Sequence, residues 1–188
     1  MDNINLIFLD IDGVVNSEEF IVWTRTTDEG KEFIKNGGHY WVDPKVVKMI
    51  MDICIECDAK IVLSSSWRYY SLEATKEELK RYRDLQPLLT LLVGVTPRLS
   101  LDRGIDCTRG EEIQWFLKHM NTYPGSPESR CYDYEYFKLS KRANVKYCII
   151  DDDTDMLDSQ QDFFVNTDFL TGLTKDDIAK VKQIFYEN

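Results

Sequence analysis

Apolar residues along the chain follow two rhythms. Short, predominantly apolar runs, Ile4 to Leu9, Lys60 to Leu63 and Tyr147 to Ile150, each end in acidic or hydroxyl residues, the pattern of strands buried on both faces of a parallel sheet. Leu91 to Val95 and Phe163 to Val165 are weaker strand candidates. Elsewhere apolar positions recur at helical spacing. Val46, Val47, Ile50, Ile53, Cys54 and Cys57 follow Asp43-Pro44, an N-cap and a proline at the first helical position. Ile113, Phe116, Leu117 and Met120 mark one face of a helix over Arg109 to Met120, and Thr174 caps a last helix holding Ile178, Val181 and Phe185. Strands alternating with helices predict an α/β fold, a doubly wound, Rossmann-like and mostly parallel sheet with helices on both faces.

Three segments break the rhythm. Asn16 to Tyr40, polar and aromatic with Gly37-Gly38, is placed to overhang a site as a flap or small cap over about 16–42. Tyr69 to Asp106 mixes aromatic and basic residues, and a loop insertion over about 121–145 holds Pro124-Gly125-Ser126-Pro127 and then Tyr132, Tyr134, Tyr136 and Phe137. The period-2 spacing of the three tyrosines suits one face of an exposed hairpin, with a docking surface as the alternative. A length of 188 residues fits one domain, 1–188, carrying these insertions.

Composition narrows the function. Twenty-three Lys plus Arg against 33 Asp plus Glu give a formal charge of −10, which disfavours broad binding of polyanions and leaves room for a local basic pocket. The start, Met1-Asp2-Asn3, has no basic leader pattern, and no apolar run reaches bilayer length. The expectation is a soluble, cytoplasmic protein with no membrane and no obligatory protein partner. Five cysteines, an odd number, are expected as reduced thiols. Cys54-Ile-Glu-Cys57 has no second ligand pair to complete a zinc site and belongs to the helix pattern. Neither His39 nor His119 lies in a motif.

In an open α/β sheet, ligands bind beyond the carboxyl ends of the strands. Three apolar runs lead there into Asp10-Ile11-Asp12-Gly13, Ser64-Ser65-Ser66-Trp67-Arg68 and Asp151-Asp152-Asp153-Thr154-Asp155. Carboxylates brought that close repel unless a divalent cation sits among them, and an all-oxygen set suits Mg2+ rather than zinc. A phosphate ester is the natural substrate of such a site, with Asp10 able to form an aspartyl-phosphate.

These residues resemble the haloacid dehalogenase (HAD) superfamily. Leu9-Asp10-Ile11-Asp12-Gly13-Val14-Val15 is similar to its first motif, Ile61-Val62-Leu63-Ser64 to its second, and Ile149-Ile150-Asp151-Asp152-Asp153-Thr154-Asp155 to its fourth, in family order. The resemblance implies Asp10 as nucleophile and metal ligand, with Asp12 as general acid/base and carbonyl ligand. It implies Ser64 as the phosphoryl-binding hydroxyl, with Ser65 as alternative. Asp151 and Asp152 complete the metal site, with Asp155 in an outer shell. For the third-motif cation Arg109 is the first candidate and Lys146 the second.

In this superfamily a large cap encloses a small substrate, whereas a lightly covered site admits a macromolecular end. Roughly thirty residues between the first motif and Asp43 allow a flap and no substantial helical cap. Trp67 and Arg68 follow the second motif directly, placed to stack on a base or grip a second phosphate. Whether Arg68, Arg98, Arg103 and Arg109 converge is open. The arrangement resembles phosphatase modules of polynucleotide end repair and small bacterial and phage relatives. It implies a Mg2+-dependent phosphomonoesterase acting on a nucleotide or nucleic-acid terminal phosphate. Another small phosphate ester, or a non-catalytic metal- and phosphate-binding module on the same fold, is the alternative.

Overall fold

The computed structural model describes residues 3–99, 104–120, 126–138 and 144–187. Met1-Asp2, Arg103 and Pro124-Gly125 lie outside the described residues. Five strands, β1 (Asn3–Leu9), β2 (Ala59–Leu63), β3 (Leu92–Val95), β4 (Asn144–Asp151) and β5 (Phe164–Asn166), form one parallel sheet in the order β3-β2-β1-β4-β5. The central strand is β1, and its residues from Leu6 to Leu9 are buried, as a strand covered on both faces requires.

Both faces carry helices. Helix α3 (Pro44–Glu56) starts where the Asp43 side chain accepts from Lys45 N at 2.8 Å, and it buries Val46, Val47, Ile50, Ile53 and Cys54. The last helix, α8 (Lys175–Glu187), buries Val181, Ile184 and Phe185 beside it. Alternation along the strands sends Cys148 toward this layer, where it adjoins Cys57 at the end of α3. Phe8 points the other way and meets Phe116 of α6 (Arg109–His119), ring centroids 5.7 Å apart. The cysteine pair of the α3 pattern is buried and unbridged, in keeping with its helical origin.

In the segment where the sequence suggested a flap or small cap, the chain builds a helical hairpin: α1 (Glu18–Thr26), capped by Ser17, and α2 (Asp28–Lys35), capped by Thr27. The two helices approach so closely at Gly30 that a Cβ there would lie 2.2 Å from the Trp23 carbonyl oxygen. Phe20 stacks on Trp23 at 5.6 Å and meets Phe33 edge-on at 6.0 Å, giving the hairpin its own aromatic core. The mixed segment after β2 folds as α4 (Leu72–Leu79), a 3-10 turn (Arg83–Leu85) and α5 (Gln86–Leu89).

The Tyr132 to Phe137 segment departs from the expected exposed hairpin. Tyr132 makes a single antiparallel bridge to Gly94, and Asp133 caps the short helix α7 (Tyr134–Phe137). Tyr132 and Phe137 are buried against the Phe116 ring, at 6.3 and 5.9 Å. Apolar packing on α6 therefore overrides the period-2 pattern, and these two rings are spent in the core rather than on a docking face. Among the described residues no helix is long and apolar enough to cross a membrane.

Candidate active site

Strand register brings the three polar clusters to one rim. Leu9 pairs with Leu63 on one side and Ile150 on the other, so Asp10, Ser64 and Asp151 leave the sheet side by side. The ladder continues past the strand ends: Asp10 N donates to Ile150 O at 3.0 Å, Ser64 N to Leu9 O at 2.8 Å, and Thr96 N to Leu63 O at 2.9 Å.

Asp10, Asp151 and Asp152 each bring a carboxylate oxygen to within 4.8 Å of the others. Asp10 is buried and accepts from its neighbour Ile11 N at 2.7 Å. Burial raises its pKa, opposed by Arg109 and by a hydrogen bond from the Ser65 hydroxyl. Asp151, with no solvent exposure, is pushed up to about 8 by burial and then by the neighbouring Asp10. Burial also raises Asp152. Asp151 Oδ1 accepts from Asp153 N at 2.9 Å, whereas its buried Oδ2 has no hydrogen-bond partner. Three hard oxygen donors, mutually repelling, with one orphaned lone-pair face, fit a divalent cation such as Mg2+.

The turn after β1 is shaped for this cluster. Gly13 adopts φ +65° beneath Asp152, and a Cβ on it would stand 2.3 Å from the Asp152 carboxyl carbon, so only glycine allows both the turn and the approach. Asn16 Oδ1 accepts from Gly13 N at 3.0 Å while its Nδ2 donates to Asp12 at 2.9 Å. From the far side, Asn166 Nδ2 donates to the Asp151 and Asp152 carbonyls at 3.2 and 3.1 Å, and the Thr167 hydroxyl to the Gly13 carbonyl at 2.9 Å. The sequence reading did not single out Asn16, Asn166 or Thr167. Their only sequence signal is position: Asn166 ends β5, Thr167 follows it, and Asn16 lies in the turn after β1.

Asp12 stands outside the carboxylate cluster. Its side chain accepts from Trp67 Nε1 at 3.1 and 3.0 Å, from the Ser66 hydroxyl at 3.1 Å and from Asn16. Trp67 is thus joined to the site by its indole N–H.

Arg109, at the first turn of α6, reaches into the rim. Its Nε lies 3.5 Å from Asp151 Oδ2, its Nη2 3.9 Å from Asp10 Oδ2, and its Nη1 donates to the Ser64 carbonyl. The Asp155 carboxylate accepts the Arg109 backbone N–H at 2.9 Å, so it holds the start of α6 in place. Of the two hydroxyls weighed after β2, the Ser65 side chain faces Asp10. The Ser64 Oγ accepts instead from Thr96 at 3.3 Å.

Two expected contacts are not made. Arg68 is buried and turned away from the carboxylates: it ion-pairs with the buried Glu112 and donates to the carbonyls of Ser65, Thr96 and Pro97. Four of its five N–H donors are taken up by these acceptors inside the fold, so the guanidinium is held by the protein rather than presented to a phosphate at the rim. Lys146 sits at the opposite end of the sheet, in register with Asn5, and its Nζ donates to the Phe185 carbonyl at 3.3 Å. Five residue steps of strand separate it from Asp151, roughly 17 Å.

No curated protein and no solved structure matches the chain. A family model does, over residues 6–178, a span that runs from β1 into α8 and takes in every residue of the rim. With its parallel sheet, its carboxylate triad and this match, the chain is a hydrolase of the HAD superfamily and belongs to the family described as the HAD domain in Swiss Army Knife RNA repair proteins.

Proposed function

We propose that the protein is a Mg2+-dependent phosphomonoesterase that removes a terminal phosphate from a nucleotide or a nucleic-acid end through an aspartyl-phosphate on Asp10. The carrying observation is the placement of Arg109 between Asp10 and Asp151, at 3.9 and 3.5 Å, beside a buried three-carboxylate cluster. Asp10, Asp151 and Asp152 would hold the ion, which would supply the positive charge that lets the carboxylates ionise together and would offset the negative charge of the phosphoryl group.

The Asp10 carboxylate forms the new bond to phosphorus while the bond to the ester oxygen breaks, and Asp12 gives its proton to the departing alkoxide. In the second half Asp12 takes a proton from water, whose oxygen attacks phosphorus and returns Asp10 as a carboxylate. Arg109 and the Ser65 hydroxyl bind the phosphoryl oxygens throughout. The family's tie to RNA repair supports a nucleic-acid phosphate over other esters. The test is phosphate release with Mg2+ from 3′- and 5′-phosphorylated oligonucleotides, nucleotides and sugar phosphates, with Asp10→Asn as control. Release abolished by that substitution and strongest on nucleic-acid ends is expected. Mg2+ binding with no release from any ester would overturn the reading in favour of a non-catalytic module.

A further inference from the structure

Beside Asp12 the rim opens into a groove of about 280 Å³ whose lining includes Ser66, Trp67, Arg68, Tyr69, Glu78, Tyr82 and Arg98. Two of these residues already belong to the site, since the Trp67 indole and the Ser66 hydroxyl both donate to Asp12. The others have no part in the chemistry described. Trp67 and Tyr82 lie 4.9 Å apart at 52°, both partly buried against the core. Tyr69 is 40% exposed, a large aromatic surface left to solvent at the mouth of a polar site. Glu78 is paired with Arg81 at 2.9 Å, and Arg98 brings a guanidinium to the same wall. Beyond Tyr82 the aromatic run continues to His39 at 4.9 Å and on to Tyr40, stacked on His39 at 4.7 Å, with the Arg25 guanidinium 5.2 Å above the Tyr40 ring.

Aromatic faces with an arginine beside a phosphate site are the elements that bind unpaired bases. The volume lies at the lower edge of small-molecule sites, about 300 Å³, which suits one nucleotide and no more. The net charge of −10 supplies no long-range hold on a polyanion, so selectivity has to come from contacts to the terminal unit. Resting on the phosphatase reading above, we propose that this groove seats the base of the nucleotide that carries the reacting phosphate, and that the protein therefore selects unpaired nucleic-acid ends. A base lying against Trp67 and Tyr82 cannot at the same time remain stacked in a duplex.

Binding to the Asp10→Asn protein isolates the groove from turnover. The probes are a 3′-phosphorylated single-stranded trinucleotide, the same molecule with an abasic terminal residue, and a blunt duplex with the same phosphorylated end, followed by Trp fluorescence and calorimetry. The intact single strand should bind about tenfold more tightly than either competitor. Tyr82→Leu, or the surface substitution Tyr69→Leu if the first does not fold, should shrink that ratio toward one. Equal affinity for the abasic or duplex probe would overturn the groove assignment. Wild-type phosphate release, run in parallel, bears on the reaction alone: base-selective binding without release would overturn the phosphatase reading and leave the groove assigned.

Discussion

The Trp67 indole N–H bridges both carboxylate oxygens of Asp12, at 3.1 and 3.0 Å, across 55 positions of sequence. With Asn16 and Ser66 donating to the same side chain, Asp12 is fixed in orientation while the Asp10, Asp151 and Asp152 carboxylates cluster apart from it. The molecule thus separates its carboxylates into a crowded group suited to a cation and a single hydrogen-bonded one suited to proton transfer.

Trp67→Phe should expose that division. Phenylalanine keeps an aromatic ring and removes the only indole donor to Asp12. If Asp12 protonates the leaving group, kcat for an alkyl phosphate ester should fall about 10- to 100-fold, the range of a misplaced general acid. Turnover of an aryl phosphate, whose leaving group needs little protonation, should fall much less. Equal losses on both esters would show that Trp67 acts on binding and leaves Asp12 unaffected.

Asp151 makes stability depend on pH in an unusual direction. Its folded-state pKa of about 8 lies above the ordinary value of about 4 for an unfolded aspartate. The folded chain then holds an extra proton between those values, so this group favours folding most below pH 4 and its contribution is lost as pH rises to 8. Thermal melts of the metal-free protein should show a Tm that falls across this window. Asp151→Asn should flatten the slope and raise the Tm at pH 8 by several degrees. Mg2+ should restore the wild-type Tm at pH 8 and do little for the variant. A wild-type Tm that rises steadily from pH 5 to 8 without metal would contradict this account.

The pattern of hits and misses in the sequence has a physical basis. Buried parallel strands are almost pure apolar runs, so β1, β2 and β4 were legible, and the side chains that end them were legible with them. The α3 and α8 helices carried caps at Asp43 and Thr174, and α3, α6 and α8 carried apolar positions at the helical period. The α1–α2 hairpin hid because its helices are 9 and 8 residues long and bury little besides each other. Arg68 and Lys146 were misplaced for a different reason: proximity in sequence to a motif does not fix direction. Past a strand end the chain turns, so Ser65 and Arg68, three residues apart, point one at Asp10 and the other at Glu112. Lys146 shares a strand with Asp151 at its far end.

The buried Arg68–Glu112 pair ties the turn after β2 to α6, and so sets where Arg109 stands relative to Ser65. Glu112 also accepts from Leu99 N at 3.0 Å. Arg68→Met should cost about 3–5 kcal/mol because it strands Glu112 as an unpaired buried carboxyl. Arg68→Met with Glu112→Leu should cost less than the sum of the single changes. Urea unfolding of the four proteins would measure the coupling, and additive losses would mean that the pair is not energetically linked.

Arg109 and Lys146 are the decisive comparison, since both were candidates for the cation that faces the phosphoryl group. Arg109 touches Asp10, Asp151 and the Ser64 carbonyl at once, a contact set that needs the planar, forked guanidinium. Arg109→Met should lower kcat/KM by 100-fold or more. It should also raise the pKa of Asp10 and Asp151 further, because the guanidinium opposes their upward shift. Arg109→Lys should recover only part of the loss, as a point charge cannot make the same three contacts. Lys146→Met, which removes a contact to the Phe185 carbonyl roughly 17 Å from the rim, should leave kcat/KM within about twofold and change stability by less than about 1 kcal/mol. Steady-state kinetics on one phosphorylated oligonucleotide separates them, and a Lys146→Met defect as large as that of Arg109→Met would refute the placement of the phosphoryl group against Arg109.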